Sequence, residues 1–121
     1  MTTPLGLVDA KFADIVWQNA PLSTRRLVEL CEEQLNWKRT TTYTVLKKLC
    51  LRGLFNMEHK TVTVLRSKEE FLADCCESFV DRNLGGSLPA FLAAFSANRG
   101  LSEADVQELK TMIADYEAQN K

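Results

Sequence analysis

Apolar residues in the first half of the chain recur first at the three-to-four spacing of helices and then at the two-residue spacing of strands. Val8, Phe12, Ile15 and Val16 form one stripe, predicting a first helix from about Val8 to Asn19 that Ala20-Pro21 stops. Ser23 has the chemistry of an N-cap for a second helix, whose inner face is Leu27, Val28, Leu30 and Cys31. After the connection Leu35-Asn36-Trp37, a third helix is expected from about Lys38 to Leu51, burying Thr42, Val45, Leu46, Leu49 and Cys50. Gly53 is suited to the left-handed residue that ends it. Leu54 to Met57 reads as a short strand and Glu58-His59-Lys60 as a polar turn. Thr61 to Leu65, alternating and β-branched, reads as a second strand.

From Ser67 the pattern is helical throughout. Phe71, Leu72, Cys75, Phe79 and Val80 mark one helix, stopped by Gly85-Gly86. Ser87 caps the next, with Pro89 in its first turn and Leu88, Phe91, Leu92 and Phe95 as its apolar residues; Gly100 ends it. Ser102-Glu103-Ala104-Asp105 resembles a capping box opening a last helix that buries Val106, Leu109 and Ile113. The expected fold is mainly α with a small β-hairpin. A winged helix-turn-helix occupies residues 1–68, and a three-helix C-terminal region occupies 69–121. So short a helical segment cannot bury this many large apolar side chains alone. A second copy would cover them, which makes 69–121 a dimerisation domain. Its expected contacts are Phe71, Leu72, Cys75, Phe79, Leu88, Phe91, Leu92, Phe95, Val106, Leu109 and Ile113.

The polar face of the third helix carries Arg39, Thr40, Tyr43, Thr44 and Lys47. Threonines sacrifice helix propensity, so a helix that exposes several of them is expected to use that face, for base edges or phosphates. Charge points the same way. The formal net charge is -1, yet residues 36–68 carry eight cations against the single acid Glu58, a local +7. Residues 1–35 sum to -2 and residues 69–121 to -6. Such asymmetry is the footprint of a polyanion partner. The alternative is a winged helix that binds other proteins and no DNA.

Other chemistry is thinly represented. The four cysteines, Cys31, Cys50, Cys75 and Cys76, lack the C-x-x-C spacing of a zinc site and read mostly as buried thiols. The one histidine, His59, falls on an exposed turn rather than in a cleft. No phosphate loop or nucleophile motif is present, so neither an enzyme, a cofactor nor a bound metal is expected. No apolar run is long enough for a membrane span, and Met1 to Val8 lacks the basic start of a signal peptide. A cytoplasmic protein is expected.

These residues resemble the penicillinase-repressor (BlaI/MecI/CopY) family over nearly the whole chain, from about Val8 to Tyr116. Trp17 stands where the family has a Trp near the end of its first helix. The run from Trp37 through Thr41-Thr42-Tyr43-Thr44-Val45-Leu46 to Leu49 is similar to its recognition-helix signature, W-x-x-x-T-V-x-T-x-L-x-R-L, and continues through Arg52-Gly53-Leu54-Phe55. Phe79-Val80-Asp81-Arg82, Gly85-Gly86-Ser87 and Leu101-Ser102-Glu103 resemble its dimerisation region.

The resemblance implies a homodimeric repressor of a resistance or stress operon, bound to palindromic double-stranded operator DNA. The third helix would enter the major groove with Thr40, Thr41, Tyr43, Thr44 and Lys47, supplemented by Lys38 and Arg39. Thr24 and Arg25, at the start of the second helix, would face a phosphate, and Lys60 and Thr61 would be the wing contacts. Ala94-Phe95 stands where the antibiotic-resistance branch is cut at an Asn-Phe bond, in a pathway run by a membrane sensor-protease. The Cys-x-Cys pairs of the copper-responsive branch are missing.

Overall fold

A computed structural model describes residues 2–120. The elements run α1 (Leu7–Asn19), β1 (Leu22–Ser23), α2 (Thr24–Leu35), α3 (Arg39–Leu51), β2 (Phe55–Glu58), β3 (Thr61–Val64), α4 (Lys68–Leu84), α5 (Leu88–Asn98) and α6 (Glu103–Gln119). The chain divides into two compact units, one ending at Phe79 and the other beginning at Val80, so the division falls inside α4.

In the first unit, α1, α2 and α3 pack around Phe12, Val16, Leu27, Leu46 and Leu49, with Leu54, Phe55 and Val62 of the sheet closing the core. Each such aliphatic or aromatic side chain contributes about 1.5–3 kcal/mol on burial. Val8 does not join them. Helix α1 begins one residue earlier than expected, at Leu7, and its first turn projects past the core, leaving Val8 57% exposed. Trp17 bridges the sheet and α4: its ring lies 5.6 Å from Phe55 and 6.0 Å from Phe71, and its indole N–H donates to the Arg66 carbonyl at 3.0 Å.

The three strands form an antiparallel sheet in the order β1-β3-β2. Strand β1 is too short for any periodicity to announce it. It pairs Leu22 with Val62 and Ser23 with Thr61. Glu58 belongs to β2, so the hairpin turn is only His59-Lys60, with φ of 51° and 60°. Positive φ at both central residues is the I′ pattern, the one that suits the twist of a hairpin. The sequence-based strand ending at Leu65 stops instead at Val64.

Several helix ends follow their cap chemistry, whereas Gly6 before α1 and Lys38 before α3 make no side-chain cap bond. The Ser23 hydroxyl accepts from the Arg26 amide at 3.0 Å. At the end of α3, the amides of Gly53 and Leu54 donate to the carbonyls of Cys50 (2.9 Å) and Leu49 (3.1 Å). This is the paired bonding of a Schellman motif, with Gly53 at φ +82°. Ser67 and Glu70 exchange bonds at the start of α4, and the Ser67 amide holds the Glu70 carboxyl below the usual glutamate range.

Two residues assigned from sequence to the dimerisation set, Phe71 and Cys75, are buried in the core of the first unit. The first half of α4 is therefore part of that unit, and the sequence-based boundary at 68/69 lies eleven residues before the division at 79/80.

The second unit is built differently. Helices α5 and α6 start on sound caps, Ser87 accepting from Ala90 at 3.0 Å and Ser102 forming a capping box with Asp105. Yet neither helix contains a buried residue. Leu88, Phe95, Met112, Ile113 and Tyr116 stand exposed, while Phe91, Leu92, Val106 and Leu109 are half-buried.

Candidate nucleic-acid interface

The start of α2, the face of α3 and the tip of the β2-β3 wing meet in one place. Strand β1 brings them there by holding the wing against the residues that lead into α2. The Thr24 amide extends this pairing, donating to the Lys60 carbonyl at 2.9 Å. A groove of 380 Å³ results, lined by Thr24, Arg25, Val28 and Glu29 of α2, Arg39 and Tyr43 of α3, and Lys60 of the wing. Three cations face it and one carboxylate, Glu29.

Within the groove, Tyr43 is the pivot. The Thr24 side chain beside its phenol, with the nearby charges of Arg39 and Lys60, holds the phenol below the usual tyrosine pKa. The Arg39 guanidinium lies over the Tyr43 ring, 5.5 Å from its centroid. Arg39 is thereby oriented from its own helix, one turn away.

The structure sorts the residues expected to touch DNA. Lys38, Arg39, Thr40, Thr41, Thr44 and Lys47 are exposed on or beside α3, and Tyr43 is half-exposed. Arg25, Lys60 and Thr61 are exposed as well. Thr24 is not: it is 5% exposed and its amide is spent on Lys60. Thr24 thus positions the groove from beneath. The Arg26 amide is likewise spent, on Ser23. The Thr44 hydroxyl donates to the Thr40 carbonyl at 2.9 Å, a back-bond within α3 that leaves its methyl group and oxygen lone pair outward.

The local excess of +7 is not all available to a ligand. Lys48 pairs with Asp9 at 2.6 Å, Lys68 with Asp14 at 2.9 Å, and Arg66 with Asp74. Arg52 donates to the Thr3 carbonyl at 2.6 Å and lies over the Phe71 ring. These four cations hold α1, α3 and α4 together. Among the described residues, Lys38, Arg39, Lys47 and Lys60 form no ion pair. The division of labour was invisible in sequence, because every acid in these pairs lies outside the basic third.

His59 sits 91% exposed by its side chain at the wing tip, 3.6 Å from Glu58. Among the described residues no group of three or more His, Cys, Asp or Glu could hold a metal ion, and no helix is long and apolar enough to cross a membrane. Burial raises the thiols of Cys31, Cys50 and Cys75 above the ordinary cysteine pKa, so they remain protonated. The Ala94-Phe95 bond lies well inside α5, both residues exposed.

Comparison with known proteins finds one matching family. Residues 5–115 match the family described as Penicillinase repressor. A curated relative, the "Penicillinase repressor" of Bacillus licheniformis, is 21% identical over 112 residues, covering 88% of this chain and 87% of its own. Among solved structures, the multiple antibiotic-resistance repressor (MarR) of Listeria monocytogenes shows a looser likeness. Its TM-score is 0.47 at 13% identity, over 95% of this chain and 74% of that one.

Proposed function

Because the chain belongs to the penicillinase repressor family, a family of DNA-binding transcriptional regulators and not of enzymes, we propose that it represses its target genes as a homodimer on palindromic operator DNA. The observation that carries this reading is the convergence of Arg25, Arg39 and Lys60 on the groove where α2, α3 and the wing meet. Arginine and lysine in that arrangement suit a phosphate, which fixes the register of the protein on the duplex. On the exposed α3 face, Thr40, Thr41 and Thr44 then lie against base edges and Lys47 against a flanking phosphate, and Lys60 and Thr61 contact the backbone beside them.

A single unit gripping a half-site through on the order of four phosphates binds weakly and with steep salt dependence, log K falling by about 0.9 per log unit of salt for each phosphate. A dimer delivers the second unit at high effective concentration. The apolar face of α5 and α6, with Leu88, Phe95, Met112 and Ile113 exposed, is the surface a second copy covers. Dissociating that pair releases the operator without disturbing a DNA contact. Cutting at Ala94-Phe95, by a protease acting downstream of a membrane sensor, is one way to do so, and it requires α5 to open locally first. The regulated operon is one of resistance or stress response.

The test is a gel shift of the full chain on the DNA upstream of its own gene, across a range of salt. We expect a single dimeric complex, weakened at least a hundredfold in the Arg39→Glu/Lys47→Glu double variant, on the order of 2.7 kcal/mol. Undiminished binding by that variant, or none by the parent chain at low salt, refutes the reading.

A further inference from the structure

The first unit contains a second concavity, away from the cationic face. It is a mostly apolar cavity of about 300 Å³ between α1 and the first half of α4, walled by Trp17, Phe71, Leu72 and Cys75, with Pro4 and Leu5 of the segment before α1 supplying another side. That segment is tied in place. The Thr2 amide donates to the Ser78 hydroxyl at 3.2 Å, and the Thr3 carbonyl accepts from Arg52 at 2.6 Å. The cavity therefore has a fixed wall where a free chain end would give none.

A more polar recess of 290 Å³ adjoins it, sharing Asp14, Trp17 and Lys68 and adding Glu69. The ion pair of Lys68 with Asp14, 2.9 Å long and roughly half in solvent, belongs to both spaces. Trp17 spans both as well. Together they have the make-up of a small-molecule site, an apolar chamber with a few charged groups at its mouth, at the lower end of the usual size. The mouth carries two carboxylates against one ammonium, so its balance favours an added positive charge. A cation there takes the place of Lys68 at Asp14, faces Glu69, and has the indole of Trp17 beside it. An anion of the same shape would meet Glu69 and have to displace Asp14 from Lys68.

We propose that this groove is a binding site for a small lipophilic cation, of the size and charge of an aryl-alkyl amine, with its apolar body against Trp17 and Phe71 and its ammonium at Asp14. The site stands independently of DNA binding.

The experiment uses the full chain carrying Trp37→Phe. Trp17 is then the single indole, and the stack of residue 37 on Phe12, now 5.7 Å between centroids, keeps an aromatic partner. Trp17 emission is titrated with 2-phenylethylammonium and with 3-phenylpropionate. The cation gives a saturable change, and the carboxylate binds about tenfold more weakly or not at all. Asp14→Asn weakens the cation by a similar factor. Lys68→Met, which frees Asp14, strengthens it severalfold, a result that a merely structural ion pair would not produce. Ala10→Leu, in the lining, blocks it while circular dichroism remains native. Equal affinity for both probes, no saturation with the cation, unchanged affinity in Ala10→Leu, or a response lost on raising protein concentration because a second copy covers the groove, each overturns the proposal.

Discussion

The amide of Thr24 donates to the carbonyl of Lys60 at 2.9 Å, so the first residue of α2 and the tip of the wing are one hydrogen-bonded piece. The same threonine lines the groove with Tyr43 of α3, and its side chain lowers the pKa of that phenol. One small buried residue thereby stands where all three elements of the cationic groove meet. Thr24→Val keeps the shape and the backbone bond but removes the hydroxyl. Tyr43 then titrates at higher pH than in the parent, measured by ultraviolet difference titration in a Tyr116→Phe background, since these are the two tyrosines of the chain. Stability falls by about 1 kcal/mol. An unchanged tyrosine titration would show that the Thr24 hydroxyl does not govern Tyr43.

Thr44 and Lys47 are neighbours on the exposed face of α3 but contribute differently. The Thr44 hydroxyl donates to Thr40, while Lys47 has no ion pair among the described residues. Thr44→Val, which keeps the outward methyl, is expected to bind operator within about twofold of the parent. Lys47→Ala removes one phosphate partner, weakening binding on all sequences and reducing the salt slope by about 1. Salt-dependent fluorescence anisotropy distinguishes the two. A large loss for Thr44→Val with an unchanged slope for Lys47→Ala would reverse their roles.

The three-helix and hairpin order of the first unit was legible because each helix has an apolar stripe, and because Ser23 and Gly53 mark the start of α2 and the end of α3. Ser23, Gly53, Ser87 and Ser102 all act as their residue types suggest. What sequence did not reveal depends on long-range partners. Strand β1, two residues long, exists only because β3 is beside it. The stripe on α4 said that Phe71 and Cys75 face something apolar, but not that this is Trp17 and the core rather than a second copy. The basic third showed where the cations are, and only the ion pairs with Asp9, Asp14 and Asp74 showed which remain for a ligand.

Gly53 illustrates a position where local geometry decides. Its φ of +82° closes the Schellman motif at the end of α3, and an added Cβ would meet no atom within 4 Å. Steric crowding is therefore absent and the cost of a side chain is purely conformational. Gly53→Ala should lower stability by about 1–2 kcal/mol in urea unfolding. It should leave operator affinity nearly unchanged once folded, because Gly53 lies outside the cationic groove. A neutral substitution would mean the end of α3 can rewind without the left-handed residue.

The wing tip runs the opposite way. His59 and Lys60 hold φ of 51° and 60° without being glycine or asparagine, the residues that I′ turns favour. Both side chains are exposed, so no packing offsets the backbone cost. The strain is tolerated because the Lys60 carbonyl serves Thr24 and the Lys60 side chain lines the groove. His59→Asn, at the residue of the pair that lies outside the groove, should therefore stabilise the chain, by about 0.5–1 kcal/mol, and leave DNA affinity within about twofold. Lys60→Gly should relieve strain in the same way but weaken operator binding and flatten its salt dependence, because the turn gains freedom and the groove loses a cation. Urea midpoints paired with anisotropy at two salt concentrations separate these effects. A destabilised His59→Asn, or a Lys60→Gly variant with unaltered salt dependence, would mean that the wing tip is neither strained nor in contact with phosphate.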